Sequence, residues 1–176
     1  VHANADRSEA ARLIAEVAPE HLNKVFFTNG GADANENAIR MARLHTGRHK
    51  VLAAHRSYHG ATAGAITMTG DPRRWASEPS IPGVVRFFGP YPYRSSFHSE
   101  NPAQECERAL AHLDELLMFE GAHNVAAIIL EPVVGRLTGT AVLQVVYPAR
   151  SDTGLLRFML VASLNLQKFA QEAHRQ

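Results

Sequence analysis

Thr28-Asn29-Gly30-Gly31-Ala32-Asp33-Ala34-Asn35-Glu36 is the stretch on which the fold of this 176-residue chain turns. An apolar run, Val25-Phe26-Phe27-Thr28, leads in and predicts a strand over residues 24–28. A helical pattern over residues 35–45 leads out. It puts Ala34, Ala38, Met41, Ala42 and His45 on one face, with Gly47 where a helix stop is expected. A strand that turns straight into a helix leaves unpaired backbone N–H groups at the helix start. With the positive end of the helix dipole, these make a ready anion site. Gly30 and Gly31 permit a sharp turn and close approach of a phosphate to the backbone. The stretch is not a P-loop, because no Gly-Lys-Ser/Thr follows, and it is not G-x-G-x-x-G. By itself it equally suits an ordinary strand–turn–helix of an α/β protein.

The bulk composition narrows the partners. A hydrophobic fraction of 45% with 20% charged residues suits a globular chain with one real core. A net charge of +1 argues against nucleic acid or an acidic membrane surface as partner. The single cysteine, Cys106, excludes an internal disulfide and points to a reducing, cytoplasmic compartment. The start, Val1-His2-Ala3-Asn4, shows no signal-peptide pattern, no membrane span is expected, and Val1 in place of Met suggests a start inside a longer protein.

Outward from the glycine turn, residues 6–18 predict a helix capped by Asp6 or Ser8, with Ala10, Leu13, Ile14 and Val17 on one face. Residues 50–54 predict a second strand, followed by the polar loop His55-Arg56-Ser57-Tyr58-His59-Gly60. Residues 61–69 suit a small-residue helix, and residues 84–88 a third strand. Between and after these, residues 70–83 and 89–101 are irregular, with Arg73-Arg74 a solvated pair, and Tyr91 and Tyr93 packing within their own loop. Residues 103–119 predict a helix that buries Cys106 among Ala109, Leu110, Leu113, Leu116 and Leu117. The unbroken apolar run over 125–130 predicts a strand buried on both faces, ended by Glu131-Pro132. Strands alternating with helices imply an α/β domain with a mainly parallel sheet and right-handed crossovers. In such sheets ligands sit at the carboxyl ends of the strands, where Gly30-Gly31, Tyr58-His59 and Glu131 all fall. His45/His49 and His55/His59 stand four apart, but no carboxylate completes a zinc pattern, so no metal site is expected.

Three ordered motifs resemble the class III aminotransferases, fold-type I enzymes that use pyridoxal 5'-phosphate (PLP). The first is Phe26-Phe27-Thr28-Asn29-Gly30-Gly31-Ala32-Asp33-Ala34-Asn35-Glu36-Asn37-Ala38, against the family's F-x-N-S-G-S-E-A-N-E-x-A. Thr46-Gly47-Arg48 with Tyr58-His59-Gly60-Ala61-Thr62 is the second, and Ile128-Ile129-Leu130-Glu131-Pro132-Val133-Val134-Gly135 the third. The resemblance covers residues 1–135 and implies the parallel-sheet large domain of a fold-type I PLP-dependent transferase, incomplete. It implies that backbone N–H groups of Gly31 and Ala32 hold the PLP phosphate, that Tyr58 stacks on the pyridine ring with His59 beside it, and that Glu131 lies near ring and substrate. Ala32 and Asp33 stand where the family has Ser and Glu. The implied reaction is amino-group transfer between an amino acid or ω-amine and an oxo acid, with PLP as electron sink, in a homodimer.

After Gly135 the resemblance stops. The family's Asp against the pyridine nitrogen and its Schiff-base lysine have no counterpart in residues 136–176, a divergent tail. Asp152 sits in a polar turn, and an apolar helical run from Leu155 to Phe169 follows. Of the three lysines, Lys24 and Lys50 each precede a strand at the end opposite the site, and Lys168 lies in the tail. The sequence therefore predicts a fragment of the enzyme, with a catalytically inactive remnant or interaction module that binds PLP or phosphate non-covalently as the alternative.

Overall fold

The computed structural model describes residues 4–18, 22–131, 142–147 and 159–163. Pro132 to Gly135, Asp152 and Lys168 lie outside them.

Helix α1 spans Ala5–Val17. Its cap is Asn4, two residues before Asp6 and four before Ser8: the Asn4 side chain accepts the Arg7 N–H, which satisfies one of the first-turn donors. None of its residues is buried, and Leu13 and Val17 face solvent. The expected strand over 24–28 does not form. The run has strand-like composition, but no neighbouring strand among the described residues offers it a hydrogen-bond ladder, and Phe26 is exposed.

Helix α2 spans Gly31–Thr46, so it starts four residues before the predicted 35, directly at the second glycine. It ends as the sequence requires: Gly47 takes the left-handed conformation (φ 68°) and its N–H donates to the Arg43 carbonyl at 2.9 Å. Strand β1 is Lys50–Ala54, α3 is Ala63–Met68, β2 is Val84–Phe87, α4 is Pro102–Glu120 and β3 is Val125–Leu130. Asn101 caps α4 by accepting the Gln104 N–H, and Pro102 takes the first helical position, where its missing N–H costs nothing.

Strand β1 pairs in parallel with β2 on one side and β3 on the other. Its residues alternate between two cores. Val51 and Ala53, with Ala127 and Ile129 of β3, pack under Ala38, Ile39 and Ala42 of α2 and Met68 of α3. Leu52 and Ala54 pack with Phe87 and Val125 toward Leu113, Leu116 and Leu117 of α4. Each large apolar side chain fully withdrawn from water in these layers contributes about 1.5–3 kcal/mol. The chain crosses from β1 to β2 over one face by α3, then back past β1 to β3 over the other face by α4. Opposite directions on opposite faces give both crossovers the same hand.

Two further strands, β4 (Val142–Tyr147) and β5 (Met159–Ser163), extend the sheet antiparallel in the order β2-β1-β3-β4-β5. The tail expectation is thus corrected: residues 159–163 form a strand rather than part of a helix, because an apolar run without clear periodicity suits either. Cys106 is also exposed rather than buried; α4 turns Glu105 and Ala109 inward instead.

Candidate functional site

Helix α2 begins where the anion site was expected, but not by a glycine-only backbone. Gly30 is extended (φ 177°, ψ 176°), a conformation open to any residue. The space beside Gly30 is open as well: a Cβ there would meet nothing within 4 Å, so the fold itself does not require glycine at this position. The first helical bond runs from Ala34 N–H to the Gly30 carbonyl, which leaves the N–H groups of Gly31, Ala32 and Asp33 outside the helical ladder. No side chain caps this end. Asp33 instead turns back to accept the Asn29 N–H at 3.2 Å.

The second element arrives by close packing. Gly60 has φ +123°, and a Cβ on it would lie 2.5 Å from Ala32 Cβ. Only glycine allows the loop after β1 to lie this close to the first turn of α2. The loop is fixed from below. Asn35, fully buried on α2, donates from Nδ2 to the His59 carbonyl at 2.6 Å. The His59 N–H donates to Thr69 Oγ1 at 3.0 Å, and Ser57 Oγ donates to the Ala54 carbonyl at 2.6 Å. His59 is therefore a buried part of the scaffold, 2% exposed.

Tyr58, between Ser57 and His59, turns outward and is 36% exposed. Its N–H donates to Glu131 Oε1 at 2.8 Å, which ties the end of β1 to the end of β3. Burial raises the Glu131 carboxyl above its ordinary pKa, against the Tyr58 N–H and the Arg73 cation, which favour the carboxylate. The five expected site residues thus form one constellation: Gly31 and Ala32 at the helix start, Tyr58 and His59 in the loop packed on it, and Glu131 bonded to Tyr58.

Sequence reasoning missed Arg73. It is exposed, as a solvated residue should be, but its guanidinium carbon lies 3.8 Å from the centre of the Tyr58 ring. Its Nε donates to Asp71 Oδ2 at 2.8 Å, and Nη2 bonds the same oxygen. Asp71 caps the short 3-10 turn Pro72–Ser77 by accepting the Arg73 N–H. The Asp-Pro pair at the head of that turn was the available signal. Arg74 is half-buried and pairs with Glu78 at 3.2 Å. Tyr91 packs under Arg56 at 4.6 Å rather than only within its loop.

Lys50 is committed elsewhere. Its ammonium donates to the Glu120 carbonyl and to Glu120 Oε2, both at 2.7 Å, closing the C-terminal end of α4 at the opposite edge of the strands. Among the described residues no three His, Cys, Asp or Glu side chains gather as metal ligands, and no helix is long and apolar enough to cross a membrane.

This geometry fits a phosphate-bearing aromatic group in two respects: an open, uncapped helix start supplies anion donors, and an outward aromatic ring stands beside it. Comparison with known proteins agrees. The class III aminotransferase pattern matches residues 1–148. Alanine–glyoxylate aminotransferase 2 homolog 2 of Arabidopsis thaliana is 35% identical over 134 residues, covering 76% of this chain and 26% of that protein. The solved taurine:2-oxoglutarate aminotransferase of Bifidobacterium kashiwanohense, in complex with PLP and glutamate, superposes with a TM-score of 0.72 at 45% identity, over 76% of this chain and 31% of that one. An (S)-enantioselective omega-transaminase of Thermomicrobium roseum gives 0.70 at 35% identity, over 74% and 31%. The chain therefore spans less than a third of the length of these relatives. Its fold is the α/β large domain of fold-type I PLP-dependent transferases, incomplete. Three ordered motifs, their assembly around one helix start and these matches together make the chain a member of the class III aminotransferases.

Proposed function

We propose that this chain is the first part of the cofactor domain of a PLP-dependent aminotransferase, which moves an amino group between an amino acid or ω-amine and an oxo acid. In this reading residues 1–135 are the transferase part and 136–176 a divergent tail. The observation that carries it is the meeting of an uncapped helix start, an outward tyrosine and a half-buried glutamate at the carboxyl ends of β1 and β3. The N–H groups of Gly31 and Ala32 would hold the PLP phosphate, aided by the α2 dipole. Tyr58 would offer its ring to the pyridine, and His59 holds Tyr58 in place through its buried backbone bonds. PLP, when bound, supplies the electron sink for amino transfer. Glu131, with Oε1 held by Tyr58, presents a carboxyl that takes a proton more readily than usual beside ring and substrate. A homodimer and a cytoplasmic location are proposals for the full-length protein.

The second reading is a catalytically inactive remnant that binds PLP or phosphate without covalent attachment. The Lys50 bond to Glu120 favours it, because that lysine is held away from the site. Borohydride reduction with PLP, followed by intact mass and peptide mapping, separates the two. Stoichiometric labelling at one lysine supports turnover by the chain; no specific adduct leaves only non-covalent binding. Gly31→Val is expected to abolish PLP binding, and unchanged affinity would rule out the phosphate cradle.

A further inference from the structure

We propose that Arg73 is a positioning residue for this site: held by Asp71, its guanidinium backs the Tyr58 ring and fixes the plane on which a flat, phosphate-bearing ring stacks. The inference rests on the cofactor reading above. The other arginines over aromatic rings among the described residues stand 4.6 to 5.9 Å from the ring centres, whereas Arg73 lies at 3.8 Å from that of Tyr58. At that distance the planar guanidinium lies against the ring face. Asp71 tethers Arg73 there, accepting from its Nε and Nη2 and from its backbone N–H at 2.9 Å, with the arginine side chain 48% exposed. Pro72 locks the backbone between them. Tyr58 in turn is anchored through its own N–H on Glu131. One face of the ring is covered, yet the residue stays 36% exposed, so the opposite face is the one left for a ligand.

A tyrosine free to rotate must be ordered by whatever stacks on it, and that ordering weakens binding. Arg73 removes the cost in advance. Its charge, paired with Asp71, also draws the Glu131 proton off against the effect of burial.

The test titrates the full chain with pyridoxine 5'-phosphate, which has the ring and phosphate but no aldehyde to react with lysines, and separately with inorganic phosphate. Arg73→Ala is expected to weaken pyridoxine 5'-phosphate about five- to ten-fold while leaving inorganic phosphate affinity and the thermal midpoint unchanged. Arg73→Lys, which restores charge without a plane, should recover only part. In the absence of ligand, acetylation of Tyr58 by N-acetylimidazole should speed up in Arg73→Ala, because the ring loses its cover. Unchanged pyridoxine 5'-phosphate affinity in Arg73→Ala overturns the proposal. So does tighter binding, which would mean that Arg73 occupies the face the ligand needs, or an equal loss for both ligands, which would mean charge alone. A wild-type chain that binds inorganic phosphate as tightly as pyridoxine 5'-phosphate overturns the stacking role of Tyr58 itself, and with it the reading on which this proposal rests.

Discussion

On the ring side of the site, Ser57 to Gly60 are pinned by buried hydrogen bonds from three directions. On the phosphate side, residues 22–30 run without secondary structure into a helix start that no side chain caps. One half is held by buried hydrogen bonds, the other by the regularity of α2 and two exposed bonds, from Asn29 N–H to Asp33 and from Thr28 Oγ1 to the Gly30 carbonyl. The difference follows from what each half must offer. A ring needs one plane, which only a rigid neighbour can set. A phosphate needs donors that stay unpaired until it arrives, and a capping side chain would compete for them.

Substitutions can break this contrast in graded steps. The largest effect is expected from Gly60→Val, which joins the two halves: its Cβ would stand 2.5 Å from Ala32 Cβ at a φ of +123°. Strain and overpacking together should cost about 3 kcal/mol or more, read as a lower urea midpoint. A wild-type midpoint would mean that the loop does not lie on α2. Asn35→Ala comes next, because it strips the buried His59 carbonyl of its donor; the expected loss is about 1–3 kcal/mol with an unchanged denaturant slope.

Glu131→Gln sharpens the comparison through pH. The folded pKa of Glu131 is raised, so between its unfolded value near 4.5 and the raised folded value the native state binds more protons than the unfolded one. Stability from this group is therefore greatest at low pH and falls as pH rises through that window. Gln should flatten that decline, seen in unfolding free energies measured across the acidic range; an unaltered slope would assign the decline to other carboxyls. The smallest effect is expected from Thr28→Ala on the exposed approach, where one 3.1 Å bond to the Gly30 carbonyl is lost: within about 0.5 kcal/mol by thermal melting. A larger loss would show that the phosphate side is not as loosely held as described.

Much of the frame is legible because local signals and burial agree. β1 spans residues 50–54 as its apolar run predicts, Gly47 stops α2, and β3 is apolar throughout because both its faces are covered. The failures have a common cause, the dependence on a partner distant in sequence. Val25 to Thr28 are strand-like in composition, yet a strand exists only beside another strand. Leu155 to Phe169 read as a helical run, but its apolar residues would wrap around much of a helix, a pattern that a covered strand also allows, and β5 took part of it. Within the site, the helix start and Tyr58 could be read from motifs. For Arg73 the Asp71-Pro72 pair signals only the turn, and nothing in Arg73-Arg74 says which of the two turns onto an aromatic ring fifteen residues earlier. Buried carboxylates were equally silent. Glu105 reads as one more charge on a helix, yet it gathers the Tyr91 N–H and the Ser95 and Ser99 hydroxyls, and those bonds hold it below the ordinary carboxylate range.

Glu36, partly buried, is equally silent in the sequence. From α2, its Oε1 accepts the N–H groups of Gly64 and Ala65 at the head of α3. Six residues are too few for a helix to persist in water unaided. α3 therefore draws its first turn from a side chain 28 residues upstream. Its amide protons should exchange with solvent at the rate at which α2 undocks, and the two helices should fold and open as one cooperative unit.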